Sequence, residues 1–152
     1  MPSPNPEYIS ALLETVNNSP FPQRLSMKLK SIDIGAARVE LEILEYHLQP
    51  LQLVHGGVLA TLIDTATFWS VFLHLPEDVG MVNIDLKLNY LKSVKEGLLV
   101  AEGRGIKSGR TISYAEASVR NADGEIITHG TSTLMALQGK GLQMGVKKFI
   151  DD

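Results

Sequence analysis

A single carboxylate interrupts an otherwise apolar stretch in the middle of this 152-residue chain. The stretch runs from Val54 to Trp69, contains the triplet His55-Gly56-Gly57 near its start, and carries Asp64 as its one acidic residue. An Asp inside a buried helix is a poor helix former and is costly to remove from water, so the chain must neutralise it, pair it or use it. A carboxylate in such a setting could act as a general base on water or as a nucleophile.

The two glycines before Asp64 supply a second chemical group. The segment that begins at Gly56 is typical of a buried helix that ends near residue 74, and the N–H groups at a helix N-terminus carry partial positive charge. Glycine at positions 56 and 57 lets a ligand oxygen approach that backbone closely, so the site could polarise a carbonyl. The helical repeat predicts one polar stripe, formed by Thr61, Asp64, Thr65 and Phe68. Alternatively, Asp64 has only a structural role and forms hydrogen bonds with the neighbouring backbone.

Strand-like segments flank this helix on both sides. Before it, residues 27–34 and 38–44 alternate apolar and polar side chains around a predicted Gly35-Ala36-Ala37 turn, and residues 47–54 form a loop. After it come residues 81–91, 98–107, 111–120 and 125–137; in the first of these, Ile84, Leu86, Leu88 and Tyr90 alternate with Asp85, Lys87 and Asn89. One buried helix among antiparallel strands predicts an α+β fold in which a curled sheet wraps the helix. Its open edges favour pairing with a second copy.

The chain is expected to divide into three parts. Residues 1–24 comprise an arm, with three prolines in the first six residues, and a helix over residues 7–17 that Pro20 and Pro22 stop. Residues 25–137 form the main domain. Residues 138–152 form a glycine-containing tail that we expect to be mobile or to pack on a partner subunit.

Composition excludes several classes of protein. The net charge of −3 gives no reason to expect nucleic acid as a partner. The absence of cysteine removes disulfides and thiolate metal sites, and His47, His74 and His129 lack the spacing of a metal site, so we expect no metal. The start of the chain does not resemble a signal peptide, and Asp64 interrupts the longest apolar stretch. We therefore expect a cytoplasmic protein that does not enter a membrane.

The motif His55-Gly56-Gly57, followed by Asp64 and by a strand that ends Asn89-Tyr90-Leu91, resembles the hotdog-fold thioesterases of the phenylacetate-degradation (PaaI) type. The similarity covers about residues 25–137 and is greatest to the human-type acyl-CoA thioesterases and the Arthrobacter-type 4-hydroxybenzoyl-CoA thioesterase. The resemblance implies a hotdog fold with one long central helix and a short N-terminal helix. It also implies hydrolysis of an acyl-CoA to a free acid and coenzyme A, with no cofactor, since coenzyme A is part of the substrate.

The resemblance assigns roles to individual residues. Asp64 matches the catalytic carboxylate, and Gly56 matches the glycine whose N–H polarises the thioester carbonyl. Gln49 matches a residue that orients substrate or water, although a solvated loop glutamine fits as well. Asn83 stands where several relatives have Ser or Thr near the attacking water, and His55 matches a histidine of variable role. Further substrate contacts are expected from Gly57, Thr65, Phe68 and the turn Lys107-Ser108-Gly109-Arg110, which matches turns at the nucleotide end of coenzyme A and otherwise fits a solvated loop.

The resemblance further implies a homodimer or a dimer of dimers with sites at the interface. Gln49 and Gly56 would come from one chain and Asp64 from the other. The acyl group stays open; Leu59, Phe68, Trp69 and Phe72 could shape an acyl or aryl pocket. Two alternative functions are a non-catalytic acyl-CoA binder on the same fold and a hydratase or dehydratase. The last group pairs its Asp with a His about five residues on, where this chain has Trp69.

Overall fold

The computed structural model describes residues 3–150 of the chain. The helices are α1 (Pro6–Asn17), α2 (Pro20–Arg24) and α3 (Gly56–Phe72), with a 3-10 turn at Glu45–His47. The strands are β1 (Ser3–Pro4), β2 (Met27–Asp33), β3 (Ala36–Glu42), β4 (Val79–Tyr90), β5 (Leu98–Lys107), β6 (Ile112–Arg120), β7 (Ile126–Gln138) and β8 (Phe149–Ile150). The long strands form one antiparallel sheet in the order β2-β3-β5-β6-β7-β4, and α3 packs against all six of them. This arrangement confirms the predicted hotdog fold.

The close approach of α3 to the sheet depends on a glycine in β5. A Cβ atom at Gly103 would lie 2.1 Å from the carbonyl oxygen of Ala66, so only glycine permits this contact. The helix residues that face the sheet, such as Leu62 and Ile63, are fully buried. The remaining face of α3 is only partly covered, and it carries Thr61, Asp64, Thr65 and Phe68, as the helical repeat predicts.

Strand β4 forms one edge of the sheet and pairs only with β7 among residues 3–150. A β-bulge between Asn83 and Asp85 shifts its register against β7. Simple alternation predicts Ile84 on the helix side of β4, but the bulge turns Asn83 toward α3 and leaves Ile84 53% exposed. Beyond the bulge, Leu86 is also exposed at this open edge. The partly covered face of α3 and the edge of β4 therefore form one continuous open surface.

The N-terminal segment is more ordered than predicted. Strand β1 pairs with β8, and the Asn5 side chain accepts a hydrogen bond from the Glu7 N–H to cap α1, so the prediction of a loose arm is wrong for residues 3–6. Pro20 does not simply end a helix; it occupies the first turn of α2, a position where proline is favoured. The first hairpin turn is also shifted, because β3 already begins at Ala36 and Gly35 has a φ of 80°.

The C-terminal tail packs on its own subunit, so the expectation of a mobile tail is wrong for residues 138–150, and packing on a partner subunit stays a prediction; the last two residues lie outside the described range. The Lys148 side chain is 1% exposed. Its Nζ donates hydrogen bonds of 2.8 Å to the carbonyl oxygens of Phe72 and Leu75, and it lies 4.1 Å from the centre of the Phe72 ring. Lys148 thus caps the C-terminal end of α3. Burial lowers the pKa of Lys148 to about 8, against an opposing effect of Glu77.

Candidate active site

The N-terminus of α3 presents one backbone N–H that the fold does not use. His55 is the N-cap, and its Nδ1 accepts a hydrogen bond of 2.8 Å from the Gly57 N–H. The His55 carbonyl oxygen accepts from the Val58 N–H at 2.9 Å. The Gly56 N–H has no acceptor among residues 3–150. An acceptor at Nδ1 places the ring N–H of His55 on Nε2. The Gly56 N–H is therefore the donor that remains for a ligand.

A cavity of about 350 Å³ lies at this helix end and brings Gln49 and Gly56 together. Leu59 and Tyr90 also line it. The Gln49 side-chain oxygen accepts a hydrogen bond from the Leu51 N–H, which orients the amide group. The Gln49 side-chain NH₂ group has no acceptor within the described residues and is available to a ligand. The two residues that the resemblance assigns to the same half-site thus share one cavity.

Asp64 lies on the open face of α3 and is half-buried. Asn83 Nδ2 donates a hydrogen bond of 2.7 Å to Asp64 Oδ1 across the bulge of β4. Asp64 Oδ2 has no hydrogen-bond donor in the part of the chain that the structure describes. Burial raises the pKa of the Asp64 carboxyl, and the hydrogen bond from Asn83 partly opposes this increase. A fixed carboxylate with one unoccupied oxygen and a raised pKa is suited to accept a proton from water.

The Gly56 N–H and the Asp64 carboxylate of one chain are separated along the helix. The two residues are eight positions apart, which corresponds to about 12 Å along the axis at 1.5 Å per residue. Asp64 does not line the cavity that contains Gly56. A carbonyl bound at Gly56 would be too far from Asp64 of the same chain for attack. Gly56 and Asp64 of one chain are therefore too far apart to contact the same carbonyl group.

The predicted turn for coenzyme A lies at the other end of α3. Ser108, Gly109 and Arg110 line a cavity of about 390 Å³ together with His74 and Asp78, which follow the helix. A Cβ atom at Gly109 would lie 2.2 Å from the carbonyl oxygen of Ile112, so the turn requires glycine there. Lys107 ends β5 beside this cavity and is exposed. The structure thus places this turn apart from Gly56 of the same chain.

The aromatic residues of α3 are only partly available to a ligand. Phe68 is half-buried on the open face near Thr65, with its ring 4.8 Å from that of Trp69. Trp69 and Phe72 are buried in the core of their own subunit, where their rings pack against that of Phe68. Leu59, in contrast, lines the cavity at Gly56.

Tyr90 is the site residue whose role was not predicted. Its hydroxyl donates a hydrogen bond of 3.1 Å to the carbonyl oxygen of Gly56. The alternation of β4 places Tyr90 on the side of Leu86 and Leu88, which was a usable signal that it faces the helix. The contact itself depends on how the end of β4 lies against the start of α3, which no local pattern predicts.

Two further observations concern metal-binding clusters and membrane-spanning helices. Residues 3–150 contain no group of three His, Cys, Asp or Glu side chains placed to hold a metal ion. Within the same residues, no helix has the length and apolar character needed to cross a membrane.

A fixed carboxylate and a free helix N-terminal amide are groups that a hydrolase acting on an acyl carbonyl can use, and comparisons with known proteins indicate this class of enzyme. The family model of the thioesterase superfamily matches residues 51–128, just over half of the chain. Human acyl-coenzyme A thioesterase 13 is 25% identical over 73% of this chain and 81% of its own length. The 1,4-dihydroxy-2-naphthoyl-CoA hydrolase of Listeria monocytogenes is 23% identical over 74% of this chain and 91% of its own length.

A solved structure supports the same assignment at the level of the fold. The crystal structure of a thioesterase from Haemophilus influenzae has a TM-score of 0.82 and 21% identity, and the alignment covers 92% of this chain and 97% of that one. The chain therefore belongs to the thioesterase superfamily, and it is a hotdog-fold thioester hydrolase.

Proposed function

We propose that the protein hydrolyses an acyl-CoA to the free acid and coenzyme A, with Asp64 as the catalytic carboxylate and the Gly56 N–H as the carbonyl-polarising donor. The observation that carries this proposal is the setting of the Asp64 carboxylate on the open face of α3. The carboxylate is half-buried, Asn83 orients it through a hydrogen bond, and burial raises its pKa. The names of the relatives support acyl-CoA as the substrate class.

The 12 Å separation between the half-sites favours an active site shared by two chains. If two α3 helices pack antiparallel around a two-fold axis and cross near residue 60, Gly56 of each helix lies level with Asp64 of the other. The open surface formed by α3 and the edge of β4 is suited to such a partner, since it exposes Ile84 and Leu86 beside Asp64. We therefore infer a homodimer, alone or within a dimer of dimers, in which each site takes Gln49 and Gly56 from one subunit and Asp64 from its partner.

The proposed reaction uses both half-sites on one thioester. The Gly56 N–H and the positive end of the α3 dipole bind the carbonyl oxygen and stabilise the negative charge that develops on it. Asp64 either removes a proton from an attacking water or attacks the carbonyl carbon directly to form an anhydride that water then hydrolyses. In both routes a C–O bond forms, the C–S bond breaks, and the coenzyme A thiolate leaves and is protonated.

The turn after β5 is our candidate for the nucleotide end of coenzyme A. Lys107 and Arg110 carry positive charge there, and Arg binds phosphate oxygens well. Asp78 lines the same cavity as Arg110 and disfavours an anion near it, so Arg110 must reach past Asp78 to bind a phosphate.

The test of the proposed function is the Asp64→Asn variant, assayed for thiol release on acetyl-, hexanoyl-, palmitoyl- and phenylacetyl-CoA. Removal of a catalytic base lowers kcat by about 100-fold or more. Asp123→Asn is the control, since Asp123 is exposed in the turn between β6 and β7, away from α3 and from the edge of β4. Full activity of Asp64→Asn would exclude the mechanism. Calorimetric binding of these esters by the wild-type protein without any turnover would instead indicate a non-catalytic acyl-CoA binder.

A further inference from the structure

Two peptide groups at the start of α3 determine where the Gly56 N–H points. The peptide that joins Gly56 to Gly57 is held at both ends: its carbonyl oxygen accepts from the Tyr90 hydroxyl at 3.1 Å, and its N–H donates to His55 Nδ1 at 2.8 Å. The preceding peptide joins His55 to Gly56, and its carbonyl oxygen accepts from the Val58 N–H at 2.9 Å. Only the N–H of this second peptide is left without a partner within residues 3–150.

The ring of Tyr90 adds a steric contact to this hydrogen bond. A Cβ atom at Gly56 would lie 3.0 Å from both Cζ and the hydroxyl oxygen of Tyr90, so the ring lies directly against the helix start. The end of β4 that carries Tyr90 is itself anchored, because Thr128 Oγ1 donates a hydrogen bond of 2.6 Å to the Asn89 carbonyl oxygen. Tyr90 therefore connects the sheet to the first turn of α3.

This connection matters because the first turn of a helix frays and a pair of glycines has the widest choice of backbone conformations. An amide that stabilises an oxyanion is effective only if it is already aimed at the place where charge develops. Without Tyr90, the carbonyl oxygen of Gly56 would keep only its intrahelical hydrogen bond in the first turn of α3, where the helix frays most easily.

We propose that Tyr90 is a positioning residue that holds the Gly56 amide in the direction of the thioester carbonyl. The inference rests on the proposed role of Gly56 in thioester hydrolysis. Tyr90 acts through Gly56, so its hydroxyl affects the transition state, in which the carbonyl oxygen becomes negative, more than it affects binding of the ground-state ester.

The first test is the Tyr90→Phe variant, which removes the hydroxyl and keeps the ring. With the acyl-CoA of the panel that the wild-type protein hydrolyses fastest, we expect kcat to fall about 3- to 10-fold, the effect of one neutral hydrogen bond, and KM to change less than about 2-fold. Tyr114→Phe is the matched control, because Tyr114 lies on the outer side of β6 and its hydroxyl has no partner within the described residues. Unchanged kcat in Tyr90→Phe overturns the inference, and so does a rise in KM alone, which would indicate direct contact with the substrate.

The second test does not depend on activity. Protein labelled with ¹⁵N-glycine gives signals from only 13 glycines, so the Gly57 amide can be followed by hydrogen exchange. We expect its exchange to be faster in Tyr90→Phe and unchanged in Tyr114→Phe, with both variants unfolding at the wild-type temperature. A lower kcat with unchanged Gly57 exchange would overturn the positioning role. Asp64→Asn separates the two proposals: if it is fully active the proposed function fails, whereas an inactive Asp64→Asn beside an unimpaired Tyr90→Phe refutes only the role of Tyr90.

Discussion

The Gly56 N–H can be removed without breaking a hydrogen bond of the fold, which allows a sharp test of its role. Gly56 is the first residue of α3, a position where proline is well tolerated because its missing N–H is not needed there. The preceding residue, His55, has φ −61° and ψ 134°, which is the region that a residue before proline prefers. Gly56→Pro therefore deletes the proposed donor and leaves the course of the backbone compatible with the helix.

The magnitude follows from the chemistry of such donors. Loss of one oxyanion-binding N–H lowers kcat by about 100- to 1,000-fold, or about 2.7–4 kcal/mol of transition-state stabilisation. Proline also introduces a Cβ atom 3.0 Å from the ring of Tyr90, which must shift. Gly56→Ala introduces the same Cβ atom and keeps the N–H, so the ratio of kcat between the two variants isolates the donor.

The assay is thiol release from the best acyl-CoA of the panel, together with thermal unfolding of both variants. We expect Gly56→Ala and Gly56→Pro to have similar unfolding temperatures, since neither breaks a hydrogen bond of the native chain. We expect kcat of Gly56→Pro to be at least about 100-fold below that of Gly56→Ala. Equal kcat values in the two folded variants would refute the assignment of the Gly56 N–H.

Three other predictions concern Asn83, Arg110 and Lys148. Asn83→Ala removes the hydrogen bond that lowers the pKa of Asp64. Since the reaction requires the ionised carboxylate, the acid limb of the pH profile of kcat/KM should move to higher pH. An unchanged acid limb would contradict the role of Asp64 as the titrating catalytic group. Arg110→Ala should raise KM for an acyl-CoA and leave KM unchanged for the matching acyl-pantetheine, which lacks the nucleotide phosphates; equal effects on both esters would exclude a phosphate contact. Lys148 has an ordinary pKa of 10.5 and a folded pKa of about 8, so the unfolded chain binds more protons between these values and rising pH stabilises the folded state. Relative to Lys148→Met, the wild-type protein should gain about 2 kcal/mol in free energy of unfolding between about pH 7 and pH 9.5, as measured by urea denaturation; a difference independent of pH would contradict the burial of the ammonium group.

The sequence predicts best those elements of the fold whose signal is a local repeat of side-chain types. The buried helix and the long strands follow from periodicity, because side chains repeat every 3.6 residues in a helix and every second residue in a strand. The partly open stripe around Asp64 follows from the same repeat. The end of α1 at Asn17 agrees with the predicted helix, but α2, which begins at Pro20, was not predicted. Proline both terminates a helix and is favoured in the first turn of the next one, and the local pattern does not distinguish the two cases.

The contacts that sequence does not predict are those between segments far apart in the chain. The burial of Lys148 depends on the carbonyl groups of Phe72 and Leu75, at and just after the end of α3, more than 70 residues earlier in the chain. The hydrogen bond of Asn83 to Asp64 depends on a β-bulge, which inverts the simple alternation of β4 and has no sequence signature here. The contact of Tyr90 with Gly56 likewise arises only once the sheet has placed the end of β4 beside the start of α3.

A subunit-mixing experiment tests the central claim, that Gly56 of one chain and Asp64 of another act on the same thioester. Asp64→Asn and Gly56→Pro subunits, each inactive alone, are unfolded, mixed in equal amounts and refolded together. Random pairing makes about half of the dimers mixed, and each mixed dimer holds one intact site and one site with both defects, so about one quarter of the wild-type activity should return. If the mixture, with mixed dimers verified by mass spectrometry, stays as inactive as its two parents, the shared site is contradicted.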